Sequence, residues 1–297
     1  MQRFKNGWLF QVLPVVAVCV LWHQRTAAGE EKTYTLRYRF QPGEVVRWEV
    51  EHRATVRTTV GGTTQTAETR SRSLKVWRVL KADSKRITFV NQVQWVQMTQ
   101  WVTGRERITY DSRRDREPPP GMEHVGRSVG QPLAEITIDP LGHVIRRVNK
   151  KMAPLGESPR ITIPLPEEPV RVGQSWQLDE PVILKREDKT VARIRTRQKL
   201  ILKSVEDGVA TISVETILLD PVRDPVVEAQ LVQRFTKGWV KFDIARGRVI
   251  EQQFDLDRRV IGHIGPNSGM HYRMHFVEKL IEEPAADVAG KSGKSAR

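Results

Sequence analysis

Two tryptophans, Trp95 and Trp101, lie in the run VQWVQMTQWV. Apolar residues occupy both parities of this segment and charges are few. It therefore reads either as a strand buried on both faces or as one that faces a ligand. Trp95 and Trp101 are accordingly the candidate ligand-binding residues. Trp48, Trp77, Trp176 and Trp239 are expected to pack in cores and on sheet faces, where aromatic residues favour half-buried pleated positions. His271 and His275 invite a metal reading. On a strand, however, residues four apart are separated by about 13 Å, whereas a zinc ligand sits about 2 Å from its metal. Alternation there places Tyr272, Met274 and Phe276 on one face and His271, Arg273 and His275 on the other, so no metal site is assigned. Asp139, Asp207 and Asp243 fall in turns, where Asp bonds its own backbone. Ser112 has none of the glycines of a nucleophile elbow. The segments RSVGQ (127–131) and VGGTT (60–64) lack the spacing and the lysine of a phosphate loop. No catalytic residue and no cofactor follow from these patterns.

What positions these residues begins after an N-terminal segment of a different kind. Arg3 and Lys5 precede an apolar run from Trp8 to Trp22, and small residues follow at Thr26, Ala27, Ala28 and Gly29. This is the three-part layout of a secretory signal, with cleavage expected after Ala28 or Gly29. The run has about 15 residues, short of the roughly 20 that span a bilayer core. Pro14 interrupts it further. The single cysteine, Cys19, lies inside this segment. Lipid anchoring through Cys19 is the alternative, disfavoured by Val18 before it and by the apolar residues after it. Cleavage would leave a chain without thiol chemistry. No later stretch is apolar enough for a transmembrane helix.

The chain has 49 Lys and Arg against 35 Asp and Glu, a net charge of +14. The signs are interspersed. A basic surface outside the cytoplasm attracts anionic lipid headgroups or acidic polymers, but net charge names no site. No specific nucleic-acid motif is present.

The dominant period is two. From Val46 to Val60, Trp48, Val50, Ala54, Val56 and Val60 share one parity, while Arg47, Glu49, Glu51, Arg53, Thr55, Arg57 and Thr59 share the other. That is a strand with one apolar and one wet face. Gly61-Gly62 and Asp207-Gly208 read as hairpin turns. Asp139-Pro140-Leu141-Gly142 reads as a type I turn. Further strands are expected at 74–80, 87–98, 107–110, 134–138, 144–148, 191–202, 209–218, 231–235, 239–242, 249–256 and 271–280. Short helices are expected at 122–129 and near 147–152. The fold class is all-β with minor α.

Paired segments suggest an internal duplication. FQPG leading to Trp48 resembles VRVG leading to Trp176. LKADSKRITFV (80–90) resembles LKSVEDGVATISV (202–214), and EITIDPLGHVIRRV (135–148) resembles WVKFDIARGRVIEQQ (239–253). The expected organisation is two similar antiparallel β units, as curved sheets or half-barrels. One spans residues 34–150 with an inserted, exposed loop at 113–130, and the other spans 170–283. A Pro-spaced linker (151–169) joins them and a disordered tail follows from 284 to 297.

The pieces FQPGEVVRWEV, ITYDS, IDPLGHV, LPEEPVRVGQSW, DGVATISV and GWVKFDIARGRVI resemble a family of secreted bacterial proteins known as a domain of unknown function. The resemblance implies export and a two-part β fold, and supplies no active-site residues. The expected function is non-enzymatic extracytoplasmic binding or envelope association. Its partner would be an apolar small molecule or an anionic envelope component. An extracellular hydrolase with titratable groups converging in a cleft is one alternative, and an electrostatic binder of anionic polymer or lipid is another.

Overall fold

The computed structural model describes residues 32–150, 161–185 and 190–282. The expected signal with its cleavage position and Cys19, residues 151–160 of the Pro-spaced stretch, and the tail region from 283 onward lie outside the described residues. The chain divides into two units, Met1–Lys32 and Thr33–Arg297; the second is described below.

The first run of elements is β1 (Val45–Val60), β2 (Thr63–Ala82), β3 (Ile87–Val102), β4 (Ile108–Asp111), helix α1 (Glu123–Ser128), β5 (Pro132–Ile138) and β6 (Val144–Asn149). The second is β7 (Ser175–Lys185), β8 (Val191–Glu206), β9 (Val209–Leu218), helix α2 (Pro225–Leu231), β10 (Lys237–Asp243), β11 (Arg248–Ile261) and β12 (Ser268–Leu280). All strands join one antiparallel sheet in the order β6-β5-β3-β2-β1-β12-β11-β10-β9-β8-β7, with β4 paired to β3. Each run is a meander, and the two meet where β1 pairs with β12, from Trp48 opposite Leu280 to Val60 opposite Ser268. The sheet is open, with β6 and β7 at its edges. The turns explain the hairpins. Gly61 and Gly62 both take positive φ, as do Asp207 and Gly208, the backbone that a two-residue turn matched to strand twist requires.

One face of the sheet carries the main core. Val46 and Trp48 of β1, Trp77 and Val79 of β2, Ile87 and Phe89 of β3, Ile136 and Ile138 of β5, Leu200 and Leu202 of β8, Ile212 of β9 and Phe242 of β10 are buried in one cluster. Strands far apart in the sheet order share this cluster because two irregular segments pack against them. Leu36, Tyr38 and Phe40 come from before β1, and Ile163, Leu165 and Val170 from before β7. These segments pair with each other through Tyr34 and Val170. The Tyr38 hydroxyl donates to the Ile163 carbonyl and accepts from the Ile163 amide. The indole N–H of Trp48 donates to the Val249 carbonyl at 3.0 Å and that of Trp176 to the Pro164 carbonyl at 2.8 Å. The two strand runs therefore share one core.

Several expectations are corrected. Residues 231–235 are not a strand; they close α2 and form a 3-10 turn, Val232–Arg234. Asp224 caps α2 by accepting from the Val226 amide, and Pro225 opens the helix, where its missing N–H costs nothing. Arg147–Asn149 belong to β6 rather than to a helix. Strand β7 was not expected. The described part of the Pro-spaced stretch is core packing, not a spacer. The inserted loop does carry a short helix, but it is not simply exposed, because Met122 is fully buried against Val96 and Tyr110.

Candidate functional site

Pairing register assigns side chains to the two faces of a sheet, because laterally opposed residues point the same way. On the face opposite Trp48, two rows cross the middle of the sheet. Arg70, Arg53, His275, Asp255, Lys237 and Glu215 form one, running from β2 to β9. Glu68, Thr55, Arg273 and Asp257 form the next. All ten line an open groove of about 970 Å³, together with Trp239. At its far side Trp239 has the Lys241 ammonium 5.1 Å from its ring. Arg258 is opposite Tyr272 and so shares the Trp48 face, where its guanidinium lies 4.8 Å from the Phe235 ring. By contrast, the space within the main core beside Trp48 and Trp77 is about 10 Å³, room for no more than about one water.

The charges in the groove are unevenly matched. Arg53 and Arg70 are directly opposite one another across β1 and β2, an arrangement that destabilises a sheet. Among the described residues each of these exposed guanidiniums has only a loose carboxylate partner, Glu51 at 3.5 Å and Glu68 at 3.9 Å, and such pairs contribute little. The Arg273 guanidinium makes no hydrogen bond or ion pair among the described residues, although its charge acts on Asp257. The carboxylates of the groove floor are already engaged. His275 Nδ1 lies 2.6 Å from Asp255 Oδ1, and His271 Nε2 lies 2.7 Å from Asp257 Oδ1. Burial pushes the Asp255 carboxyl up, but hydrogen bonds from His275 and Gln253 outweigh it and hold it below the usual range. The His271 hydrogen bond likewise holds Asp257 down. The net result is a wall with spare guanidinium capacity, suited to an anionic group.

The two tryptophans expected to bind ligand lie elsewhere. Trp95 is opposite Leu74 and Trp101 opposite Glu68, so both are on the groove face but one strand beyond it, and neither lines it. Trp95 is half-buried beneath the Arg113 guanidinium, 4.2 Å from its ring. Arg113 is held there by Asp111, a buried carboxylate that accepts from Arg113 Nε at 2.9 Å and Nη2 at 2.8 Å. Those bonds hold the Asp111 carboxyl down at about 2. Trp239, which does line the groove, was expected only to pack. Its sequence signal was its parity: in KGWVKFD it alternates with the buried Val240 and Phe242. His271 and His275 share the wet face, and each meets a separate carboxylate. No cluster of three potential metal-binding side chains occurs among the described residues, and no described helix is long and apolar enough to cross a membrane.

The chain matches no protein-family model and no curated protein. Among solved structures it is similar to lipovitellin, described for its lipid–protein interactions, with 12% identity, a TM-score of 0.43 and 84% of this chain covered. The match spans 27% of the lipovitellin chain. It is also similar to an outer membrane channel from Pseudomonas putida F1, with 8% identity, a TM-score of 0.29, and 82% and 97% of the two chains covered. A third likeness is to OpdQ from Pseudomonas aeruginosa, with 7% identity, a TM-score of 0.24, and 80% and 99% covered.

Proposed function

We propose that this chain is an exported, non-enzymatic binding protein whose site is the groove running from β2 to β9. Its ligand carries an anionic group on an apolar or ring-containing body. The observation that carries the reading is the direct opposition of Arg53 and Arg70 at the wall of a groove of about 970 Å³. Two facing guanidiniums are unfavourable in the empty sheet and favourable once an anion lies between them. Arg273 extends the basic wall. Trp239, on β10 and so four strand spacings or about 19 Å from β2, offers an aromatic surface for the rest of the ligand. The groove is at the upper end of the size range of small-molecule sites. The three-part N-terminal segment supports export, as does the resemblance to secreted bacterial proteins. The paired segments support reading the two meanders as duplicated halves.

Native mass spectrometry of the chain purified from its own host tests the site. A retained acidic small molecule is expected, and it should be lost from an Arg53→Ala/Arg70→Ala variant that still folds. A wild-type chain without adduct, or an adduct retained equally by the variant, refutes the assignment.

One observation favours a second reading, that of a hydrolase: the His275–Asp255 pair is a base–orienter arrangement within the groove. It predicts ester or amide turnover that His275→Ala abolishes. Turnover unaffected by that substitution removes this reading.

A further inference from the structure

We infer that the end of the sheet formed by the β1–β2 and β11–β12 hairpin tips docks onto an anionic lipid bilayer. Three apolar side chains project there. Ile261 is 76% exposed, Ile264 62% and Val60 42%. The two tips are tied together, since the Gly61 amide donates to the Asn267 carbonyl at 3.1 Å. The β11–β12 turn is held in shape by the buried Ser268, whose hydroxyl donates to the Gly265 carbonyl at 2.7 Å and accepts from the Ile264 amide at 2.8 Å. The isoleucines are therefore presented to solvent by an ordered loop, and burial in the acyl region would remove them from water.

Charge identifies the surface. Neither tip segment, TTVGGTTQT (58–66) or RVIGHIGPNSGM (259–270), contains an acidic residue. Two residues below the Ile261 level, Arg57, His271 and Arg259 form one lateral row on the groove face. The Arg57 and Arg259 side chains are exposed and make no hydrogen bond or ion pair among the described residues. Asp257, the nearby carboxylate, is bound to His271 and feels Arg259 and Arg273 electrostatically. Two residues along a strand is about 7 Å. An interfacial element sinks its apolar face about 5–10 Å into the headgroup and acyl boundary. Tips buried to that depth place Arg57 and Arg259 at the level of the lipid phosphates. This spacing of apolar tip and basic row is what an anionic membrane surface complements.

The test uses the full chain with Cys19→Ser and an environment-sensitive dye on Asn267→Cys in the tip. A control chain carries the dye on Lys85→Cys, at the β2–β3 turn and so at the opposite end of β2. Vesicles of phosphatidylcholine with phosphatidylglycerol are compared with pure phosphatidylcholine. The tip label is expected to shift to the blue on the anionic vesicles only, and the control label to stay in water. Arg57→Gln/Arg259→Gln should weaken the response roughly thirtyfold, and Ile261→Asp/Ile264→Asp should abolish it. The inference is overturned if the chain sediments with vesicles while the tip label remains in water, which would mean attachment through another segment such as the apolar N-terminal run. It is equally overturned if the chain ignores anionic vesicles, which would leave the tips to a protein partner.

Discussion

Removing either partner of the Lys75–Glu278 ion pair is expected to be costly, and removing both is not. Lys75 Nζ lies 2.5 Å from Glu278 Oε1, with the side chains 15% and 5% exposed. They reach across β1 on the core face, Lys75 opposite Trp48 and Glu278 opposite Val50. Nζ also sits 4.7 Å and 5.2 Å from the Trp48 and Trp77 ring centroids. Glu278→Leu leaves the ammonium between two indoles. Breaking a buried ion pair by removing one partner costs about 3–5 kcal/mol, because it leaves an uncompensated charge. The indoles return about 1–2 kcal/mol if the charge is kept, so a loss of about 3 kcal/mol is expected. Lys75→Met leaves the Glu278 carboxylate buried with no other side-chain partner among the described residues, at a cost in the same range of about 3–5 kcal/mol. The double variant, Lys75→Met/Glu278→Leu, removes both charges and keeps the volume, so it should fall within about 1 kcal/mol of wild type. Urea denaturation of the four proteins completes a double-mutant cycle, and a coupling energy of at least about 3 kcal/mol is expected. Additive single effects, with coupling under about 1 kcal/mol, would refute the claim that this pair is desolvated and mutually dependent.

A pH dependence follows from Asp111. Its folded carboxyl is held at about 2 against an ordinary 3.8. A depressed carboxylate contributes its full stability above the unfolded value and loses it as pH falls from about 5 towards 2, here at most about 2 kcal/mol because Arg113 is half in solvent. Asp111→Asn should therefore be less stable than wild type at neutral pH and converge on it in acid, as read by denaturant midpoints; a constant difference across that range would contradict the assignment. Gly238→Ala should be among the most damaging single substitutions, because its Cβ would stand 1.9 Å from the Gln253 carbonyl oxygen and force β10 away from β11. A loss above about 3 kcal/mol is expected, and a thermal unfolding midpoint within a few degrees of wild type would show that the strands yield cheaply.

Much of the fold was legible because strand parity is local. The alternation from Val46 to Val60 separated the core residue Trp48 from the groove residues Arg53 and Thr55 before any pairing was known. Strand β7 was hidden by Pro181, which argues against a central strand. The sheet order shows why it is tolerated, since β7 is an edge strand and edges accommodate proline. Residues 231–235 looked extended because short apolar runs do not distinguish strand from helix; the Asp224-Pro225 start signal was present and went unused. Trp95 and Trp101 were singled out for apolar neighbours on both parities. One parity faces α1 and its loop, through Val96 and Met98. On the other, Trp95 is covered by Arg113, whose position depends on Asp111 at the end of β4.

By itself the sequence determined the all-β class, the two faces of the strands and the hairpin turns, because alternation, glycine and Asp-Gly chemistry act over a few residues. Only the tertiary structure decided that β1 pairs with β12, more than 200 residues away. That pairing merges the two strand runs into one sheet, sets Arg273, His275 and Asp255 beside Arg53 and Arg70, and aligns the Ile261 tip with Val60. A period of two says which way a side chain points, but it carries no information about which strand lies alongside.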